Sequence, residues 1–332
     1  MTTVATVRGE VDTKALGRTL MHEHVFNITA EVEKEYPDLS WTNDKEAVLR
    51  SVVDLLRQAK EHGVDTLVDC TALGHGRDLE AVKAVNEQVD LNIVVCTGIY
   101  TYDHLPFFFR FGHPAKQVDG RTEDVLTDMF VRDITEGIGS SGVKAALIKT
   151  ATDRAGVTPN VERILRAVAR AHRATGVPIT THTDVHQQNG LDQQRIFAEE
   201  GVDLSRVIIG HSGDSTDLDY LRALLDAGST IGADRFGLYL PDLGLPDMAT
   251  RIDTVARLCA EGYSDRIVLS HDTTCYGDWL PRDFGAGLST WQLTHLSDEV
   301  LPAMHEHGIE EDQVEQMLVG NPSRILANQG AY

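Results

Sequence analysis

The chain is poor in cysteine and lacks any long apolar run. Its four cysteines, Cys70, Cys96, Cys259 and Cys275, are scattered along 332 residues, and none forms a CxxC pair. The first three lie in or beside apolar segments, as expected for small core residues of a reduced, cytoplasmic protein. No run approaches the ~18 apolar residues that a membrane span needs. The N-terminal sequence MTTVATVRGEVDTKALG has no apolar centre typical of a signal peptide, so we expect neither export nor membrane association.

Basic residues are also in deficit. The sequence has 30 Lys and Arg against 51 Asp and Glu, which gives a net charge of −21. The phosphates of a nucleic acid would be repelled by such a surface, so we expect no nucleic-acid partner. Hydrophobic residues make up 42% of the chain and charged residues 24%, which is an ordinary globular composition with enough apolar residues for a large core.

Short apolar segments alternate with stretches of helical spacing along most of the chain. Residues 4–16 predict a short hairpin that turns at Gly9. Strands are predicted at 20–26, 66–70, 91–97, 145–149, 177–182, 207–211, 229–233 and 266–271. Helices are predicted at 44–62, between 70 and 88, and at 122–138, 160–175, 187–200, 215–227 and 248–261, with two or three more between 291 and 327.

Eight apolar strands, each followed by a helix, indicate a parallel sheet covered by helices. We therefore predict an α/β fold of the (β/α)8 TIM-barrel type, for which ~250 residues is typical. A doubly wound open sheet is the alternative, but no GxGxxG follows the first strand. Since no linker or low-complexity tract interrupts the chain, residues 1–332 are expected to form a single barrel domain.

Two histidines stand two residues apart on the first barrel strand. In a β-strand, side chains at i and i+2 point to the same face, so His22 and His24 would direct two imidazoles into one space. Neutral imidazole is the commonest protein ligand for metals. A His-x-His pair also occurs by chance, so the interpretation depends on matching ligands elsewhere.

Further polar residues stand at the ends of later strands. Lys149 ends strand four, His182 strand five, His211 strand six and Asp272 strand eight. In a (β/α)8 barrel the C-terminal ends of all strands meet at the face where active sites are built. Each residue taken alone could be a cap or a surface residue, but together they predict a metal site at that face.

The lysine requires an explanation of its own. A cation among metal ligands is electrostatically unfavourable unless its amine is neutral or modified. Carbamylation of Lys149 by CO2 would convert the cation into an anion able to bridge two metals. Burial beside cations lowers the pKa of a lysine and so provides the neutral amine that this reaction requires.

Eight ordered segments carry a resemblance that runs nearly end to end. They are MHEHVF (21–26), TGIYTYDHLPFFF (97–109), IKTATDRAGVT (148–158), PITTHTDVH (178–186), IIGHSGD (208–214), GADRFGL (232–238), GYSDRIVLSHD (262–272) and GNPSRILA (320–327). With these segments the chain resembles the phosphotriesterase family of the amidohydrolase superfamily, and within it the phosphotriesterase-like lactonases that hydrolyse N-acyl homoserine lactones.

The resemblance implies a binuclear metal site at the C-terminal ends of the strands. The implied ligands are His22, His24 and Asp272 for one metal, and His182 and His211 for the other. Carbamylated Lys149 and a hydroxide would bridge the two ions, and the hydroxide would attack the substrate carbonyl. This mixed nitrogen and oxygen donor set suits zinc, cobalt, iron or manganese. By the same resemblance a homodimer is expected.

The resemblance also implies roles on the substrate side. The residues expected to bind substrate are Tyr100, Arg235, Phe236, Cys275 and Trp291, and the long last loop spans 273–293. Tyr100 would act at the carbonyl and Asp272 would transfer protons, so both are expected to be catalytic. Alternatively, Tyr100 and Phe236 are packing aromatics and Arg235 is a loop salt-bridge partner.

We accordingly expect a metal-dependent lactonase whose substrate is a small lactone, an activity that would quench quorum-sensing signals. Phosphotriesterase side activity is expected as well. The alternative activity is that of a phosphotriesterase (aryldialkylphosphatase) or another carboxylic ester hydrolase on the same metals. A catalytically inactive metal-binding or structural barrel is the hypothesis that assigns no enzymatic function, and it is disfavoured because all six ligand positions are occupied by ligand-type residues.

Overall fold

The computed structural model describes residues 2–280, 288–328 and 330–332. Its strands are β1 Thr3–Thr6, β2 Gly9–Asp12, β3 Thr19–Asn27, β4 Thr66–Asp69, β5 Asn92–Gly98, β6 Lys116–Val118, β7 Arg121–Glu123, β8 Leu147–Ala151, β9 Ile179–His182, β10 Val207–Ile209, β11 Thr230–Ala233, β12 Ile267–Leu269 and β13 Thr274–Gly277. The N-terminal strands β1 and β2 form the predicted antiparallel hairpin.

The helices follow the strands. They are α1 Ala30–Glu35, α2 Pro37–Ser40, α3 Lys45–Glu61, α4 Leu79–Asn86, α5 Val125–Thr135, α6 Pro159–Thr175, α7 Gly190–Glu199, α8 Leu218–Asp226, α9 Met248–Ala260, α10 Leu301–Glu306, α11 Glu311–Glu315 and α12 Asn321–Leu326. In the part of the chain that the structure describes, no helix combines the length and the apolar character needed to cross a membrane.

The main sheet has nine parallel strands in the order β12-β11-β10-β9-β8-β5-β4-β3-β13. The two edge strands of this sheet, β12 and β13, follow each other in the chain. Strand β12 pairs with β11, and β13, which begins five residues after the last residue of β12, pairs with β3. Two backbone bonds complete this seam: the N–H of Asp272 donates to the His22 carbonyl at 3.0 Å, and the N–H of His24 donates to the Thr273 carbonyl at 2.8 Å. The predicted (β/α)8 barrel is confirmed.

Successive strand residues alternate between two apolar layers, as a period of two requires. In β8, Ile148 belongs to the large cluster that packs strands against helices, whereas Leu147 belongs to a smaller cluster. The smaller cluster also contains Val68, Val94 and Ile208 from neighbouring strands and fills the barrel interior. Lys149, two residues beyond Leu147, therefore points into the barrel at its C-terminal end.

The structure differs from the sequence prediction in the loop after β5. The helix predicted over 122–138 has the wrong start. Residues 121–123 form β7, which pairs with β6 in a small hairpin, and the helix begins at Val125. Asp119 and Gly120 make the turn with φ values of +49° and +76°. Asp-Gly is a strong hairpin-turn signal, and it could have identified this element from the sequence.

Candidate active site

The polar residues predicted to be metal ligands are brought together at one end of the barrel. Five parts of the sheet place them: His22 and His24 lie within β3, Lys149 on β8, His182 at the end of β9, His211 two residues after β10, and Asp272 between β12 and β13. Two of them adopt backbone conformations that are rare outside glycine, with φ +60° at His211 and φ +56° at Asp272. Strain of this kind is maintained only where the surroundings enforce it, and it is common at functional sites.

Asp272 lies at the centre of the cluster. Its Oδ1 atom is 3.2 Å from Nε2 of His24 and 3.5 Å from Nε2 of His22, and its Oδ2 atom is 3.7 Å from Nε2 of His211. The ligand-type atoms of His22, His211 and Asp272 all lie within 4.8 Å of one another. One carboxylate thus faces three imidazole nitrogens in a space that could hold a metal ion.

The outer nitrogens of these imidazoles are already engaged. The Nδ1 atoms of His22 and His211 lie 3.0 and 2.9 Å from the two oxygens of buried Asp234, and Nδ1 of His24 lies 2.8 Å from the Thr71 hydroxyl. An imidazole that donates from Nδ1 keeps a lone pair on Nε2, which is the arrangement that metal-binding histidines adopt. Asp234 was not singled out by sequence reasoning, although it lies within the GADRFGL segment.

His182 is held differently. Its Nε2 atom lies 2.9 Å from Oδ2 of Asp153, and its Nδ1 atom lies 3.3 Å from the Tyr100 hydroxyl. Burial lowers the pKa of His182 to about 4, and Arg235 and Lys149 add to this effect, while the hydrogen bond with Asp153 opposes it. His182 is therefore neutral at neutral pH, and its ring lies 4.6 Å from that of His211.

Lys149 is almost fully buried, with 1% of its surface exposed. Its Nζ atom lies 2.6 Å from Nε2 of His22 and 3.5 Å from the Thr181 carbonyl. The lysine and the ionised Asp272 thus flank the same imidazole. With four imidazoles, a carboxylate and a buried amine at one end of the barrel, the donor chemistry of this chain fits a binuclear metal centre.

Arg235 fixes the ionisation of the central carboxylate. Burial works to raise the pKa of Asp272, but His211 and the Arg235 guanidinium outweigh it and hold that pKa well below its ordinary value. Nε of Arg235 donates to Oδ2 of Asp272 at 2.9 Å and Nη1 donates to Oδ2 of Asp214 at 3.0 Å. Arg235 is thus the salt-bridge partner that one alternative foresaw, and it lies within the site.

Aromatic side chains line the approach to the cluster. The Tyr100 hydroxyl forms a hydrogen bond with that of Tyr102, and the Tyr100 ring stacks on the imidazole of His75 at 4.0 Å. His75 in turn contacts the rings of His24 and Trp279, at 4.4 and 6.1 Å. Sequence reasoning missed Tyr102, His75 and Trp279. His75 could have been found, because it follows the second barrel strand at its C-terminal end.

The sequence model of the phosphotriesterase family matches residues 2–326, nearly the whole chain. The chain belongs to the phosphotriesterase family. The predicted family membership is thereby confirmed, and the site just described is that of a phosphotriesterase-family hydrolase. Members of this family generally depend on a binuclear metal centre, in agreement with the cluster of histidines and aspartate.

Individual members of the phosphotriesterase family are similar over their full length. The phosphotriesterase homology protein of Mycobacterium tuberculosis is 49% identical over 328 residues, which cover 98% of each chain. The aryldialkylphosphatase of Saccharolobus solfataricus is 37% identical over 323 residues, covering 96% of this chain and 98% of that protein. The solved structure of the phosphotriesterase from Mycobacterium tuberculosis superposes with a TM-score of 0.92 at 49% identity, covering 99% of this chain and 100% of that one.

The other three residues predicted to bind substrate in this phosphotriesterase-family site are Phe236, Cys275 and Trp291. Phe236 is 1% exposed and packs in the main core with Ile231 and Val255, as the packing alternative expects, and its role in substrate binding stays a prediction. Cys275 lies on β13, packs partly buried against the same core, and has a thiol pKa raised by burial. Trp291 donates from Nε1 to the His271 carbonyl at 3.0 Å, next to Asp272.

Proposed function

We propose that this protein is a metal-dependent lactonase that opens the ring of N-acyl homoserine lactones or related lactones. The observation that carries the proposal is the position of Tyr100, whose hydroxyl borders the cluster through its contact with His182. Burial, together with the neighbouring Tyr102, raises the pKa of Tyr100 well above its ordinary value. The phenol therefore remains protonated at neutral pH and is available as a hydrogen-bond donor to a carbonyl oxygen.

The residues that would hold the metals are those that the family resemblance implies. His22, His24 and Asp272 would bind one ion, His182 and His211 the second, and a carbamate on Lys149 would bridge them. When bound, two divalent ions would supply a nucleophilic hydroxide near neutral pH and stabilise the oxyanion of the transition state.

The side chains of this chain then account for substrate orientation and proton transfer. Tyr100 donates its hydroxyl hydrogen bond to the lactone carbonyl oxygen, on which negative charge develops when the nucleophile adds. Asp272, kept ionised by Arg235, accepts the proton of the hydroxide that has added to the carbonyl and passes it to the alkoxide released when the ester C–O bond breaks. The product is the open hydroxy acid, and the reaction consumes one water.

Hydrolysis of phosphotriesters is the second candidate function. It is supported by the 37% identity with the aryldialkylphosphatase of Saccharolobus solfataricus over nearly the whole chain. A tetrahedral phosphorus ester and a planar carbonyl ester both react through an oxyanion, so the same ligands and the same proton acceptor would serve either substrate.

A panel of kcat/KM values on metal-loaded protein tests this proposal. It should contain short- and long-chain acyl homoserine lactones, plain γ- and δ-lactones and an aryl dialkyl phosphotriester. We expect the best lactone to exceed the phosphotriester. A preference for the phosphotriester by more than about tenfold, equivalent to ~1.4 kcal/mol in transition-state binding, would reverse the ranking. Hydrolysis of every lactone at the wild-type rate by His22→Ala or Asp272→Asn would overturn the mechanism.

A further inference from the structure

Glu23 stands between the two histidines of β3, and its carboxylate is fully buried with 0% of the residue exposed. Four hydrogen bonds converge on it. Its Oε1 atom accepts from the Ser270 hydroxyl at 2.8 Å, from the backbone N–H of His271 at 2.9 Å and from Nδ1 of His271 at 2.7 Å. Its Oε2 atom accepts from the backbone N–H of Thr273 at 2.8 Å. Every donor therefore comes from the segment between β12 and β13.

The two backbone donors flank Asp272 on both sides. Asp272 has a φ of +56°, and a non-glycine residue in this left-handed region carries conformational strain. Its own N–H donates to the His22 carbonyl at 3.0 Å. The amides of residues 271, 272 and 273 are thus all tied to β3, two of them by one carboxylate, and this fixes the turn that presents the Asp272 side chain to the imidazoles.

We propose that Glu23 is a positioning residue that holds Asp272 in its left-handed conformation and so sets the geometry of the metal ligands. Neither Glu23 nor its contacts were assigned a role by the ligand pattern, in which it is only the residue between two histidines. The proposal does not depend on whether the substrate is a lactone or a phosphotriester.

The number of donors explains why a carboxylate is needed. An ionised carboxylate is acceptor-only and has two oxygens, which suits four converging N–H and O–H groups. A glutamine would offer one oxygen and an NH2 group, and the NH2 would face the Thr273 amide or the Oε1 donors. The His271 ring cannot turn to compensate, because its Nε2 accepts from the N–H of Leu296 at 3.1 Å, which keeps the proton on Nδ1.

Binding of Co²⁺ to the metal-free protein tests the proposal without reference to catalysis. We expect Glu23→Gln to weaken the binding of at least one of two Co²⁺ ions by about 10–100-fold, as loss of an outer partner of a metal ligand does. The visible absorption of the Co²⁺-loaded variant should change as well, because the coordination geometry at Asp272 changes. Unchanged affinity and an unchanged spectrum would overturn the proposal.

Asp124→Asn is the matched control. Asp124 is another buried carboxylate, 3% exposed, which caps α5 and pairs with Arg163 rather than with the turn that carries Asp272. This variant should lower the melting temperature while leaving Co²⁺ affinity and spectrum unchanged. If Glu23→Gln does not fold, Glu23→Asp, which keeps the charge and shortens the reach by one methylene, decides in its place: weakened Co²⁺ binding supports the role and wild-type binding overturns it.

Discussion

The guanidinium of Arg235 spans two carboxylates, donating from Nε to Oδ2 of Asp272 at 2.9 Å and from Nη1 to Oδ2 of Asp214 at 3.0 Å. Asp214 is also paired with Arg251. The second oxygen of Asp272 is left to face His24 and His22. Because an arginine stays charged in proteins, this arrangement keeps Asp272 ionised and its carboxylate plane fixed.

Replacement of Arg235 by glutamine should lower kcat/KM for lactones by about 10–100-fold, because Asp272 loses both its orientation and the charge that keeps it ionised. Arg222→Gln removes a guanidinium that pairs with Glu261 at the surface, and it should leave kcat/KM unchanged. Steady-state kinetics on the two variants decide the matter. Equal rates for Arg235→Gln and wild type would contradict this role for the arginine.

Removal of the Tyr100 hydroxyl should act on turnover. We expect Tyr100→Phe to reduce kcat for lactones by about 10²-fold with little change in KM, since a donor to a developing oxyanion stabilises the transition state more than the substrate. Tyr263→Phe, which removes a hydroxyl that donates to Asp226 at the surface, is the control and should keep full activity. A larger effect on KM than on kcat would assign Tyr100 to substrate binding alone.

Asp234 should control the affinity for metal. It accepts from Nδ1 of both His22 and His211, and the interactions with these imidazoles outweigh burial and lower the pKa of Asp234 well below its usual value. Asp234→Asn should weaken Co²⁺ binding to the metal-free protein by about 10–100-fold, because both imidazoles lose the acceptor that fixes their tautomer. Asp133→Asn, at a buried carboxylate that accepts from Thr97, should affect stability alone.

Two glycines with nearly the same backbone conformation offer a matched pair. Gly98 has a φ of +115° and Gly9 a φ of +118°, but a Cβ at Gly98 would lie 1.9 Å from the Lys149 carbonyl oxygen, whereas nothing lies within 4 Å of a Cβ at Gly9. Both alanine variants carry backbone strain of about 1–3 kcal/mol. Gly98→Ala should lower the unfolding free energy by a further ~1–3 kcal/mol and weaken Co²⁺ binding, because Lys149 must move.

Urea unfolding of these two variants, with a Co²⁺ titration of each, provides the comparison. Equal losses of unfolding free energy in Gly9→Ala and Gly98→Ala would mean that the barrel accommodates the methyl group by a movement that does not involve β8.

Acid should destabilise the protein in part through His172. Burial lowers the pKa of this histidine, whose Nδ1 donates to the Val177 carbonyl and whose Nε2 accepts from Tyr332. Below pH 6.5 the unfolded chain binds a proton that the folded protein does not, so this contribution is fully present above pH 6.5 and is lost as the pH falls towards the folded pKa. Between pH 7.5 and 5.5, the unfolding free energy of His172→Gln should fall less steeply with decreasing pH than that of the wild type. The two slopes should differ by at most ~1.4 kcal/mol per pH unit. Parallel curves for variant and wild type would contradict the role of His172.

The barrel and the assembly of its ligands could be predicted because both depend on local patterns. Apolar runs such as 66–70 and 207–211 mark buried strands, and polar residues at strand ends, such as Lys149 and His182, must meet where parallel strands end. These inferences require only the alternation of strands and helices, and no knowledge of side-chain contacts.

The partners of the ligands could not be predicted in this way. Asp234 and Asp153 were missed because an acidic residue in a loop is ordinarily solvated, and only the folded loops bring these two to His211 and His182. Phe236 follows Arg235 directly, yet the two side chains separate, one to the site and the other to the core between β11 and α9. Adjacent residues at the end of a strand point in opposite directions, and the sequence alone did not establish which of them faces the site.

The seam between β3 and the segment from β12 to β13 has a consequence for how the chain folds. The contacts across it join residues about 250 positions apart, such as Glu23 and Thr273. During synthesis on the ribosome, which proceeds from the N-terminus at about 5–20 residues per second, His22 and His24 would emerge at least ~10 s before Asp272. The first two imidazoles must therefore remain without their carboxylate partner for most of translation, and full metal affinity can arise only as one of the last events in folding.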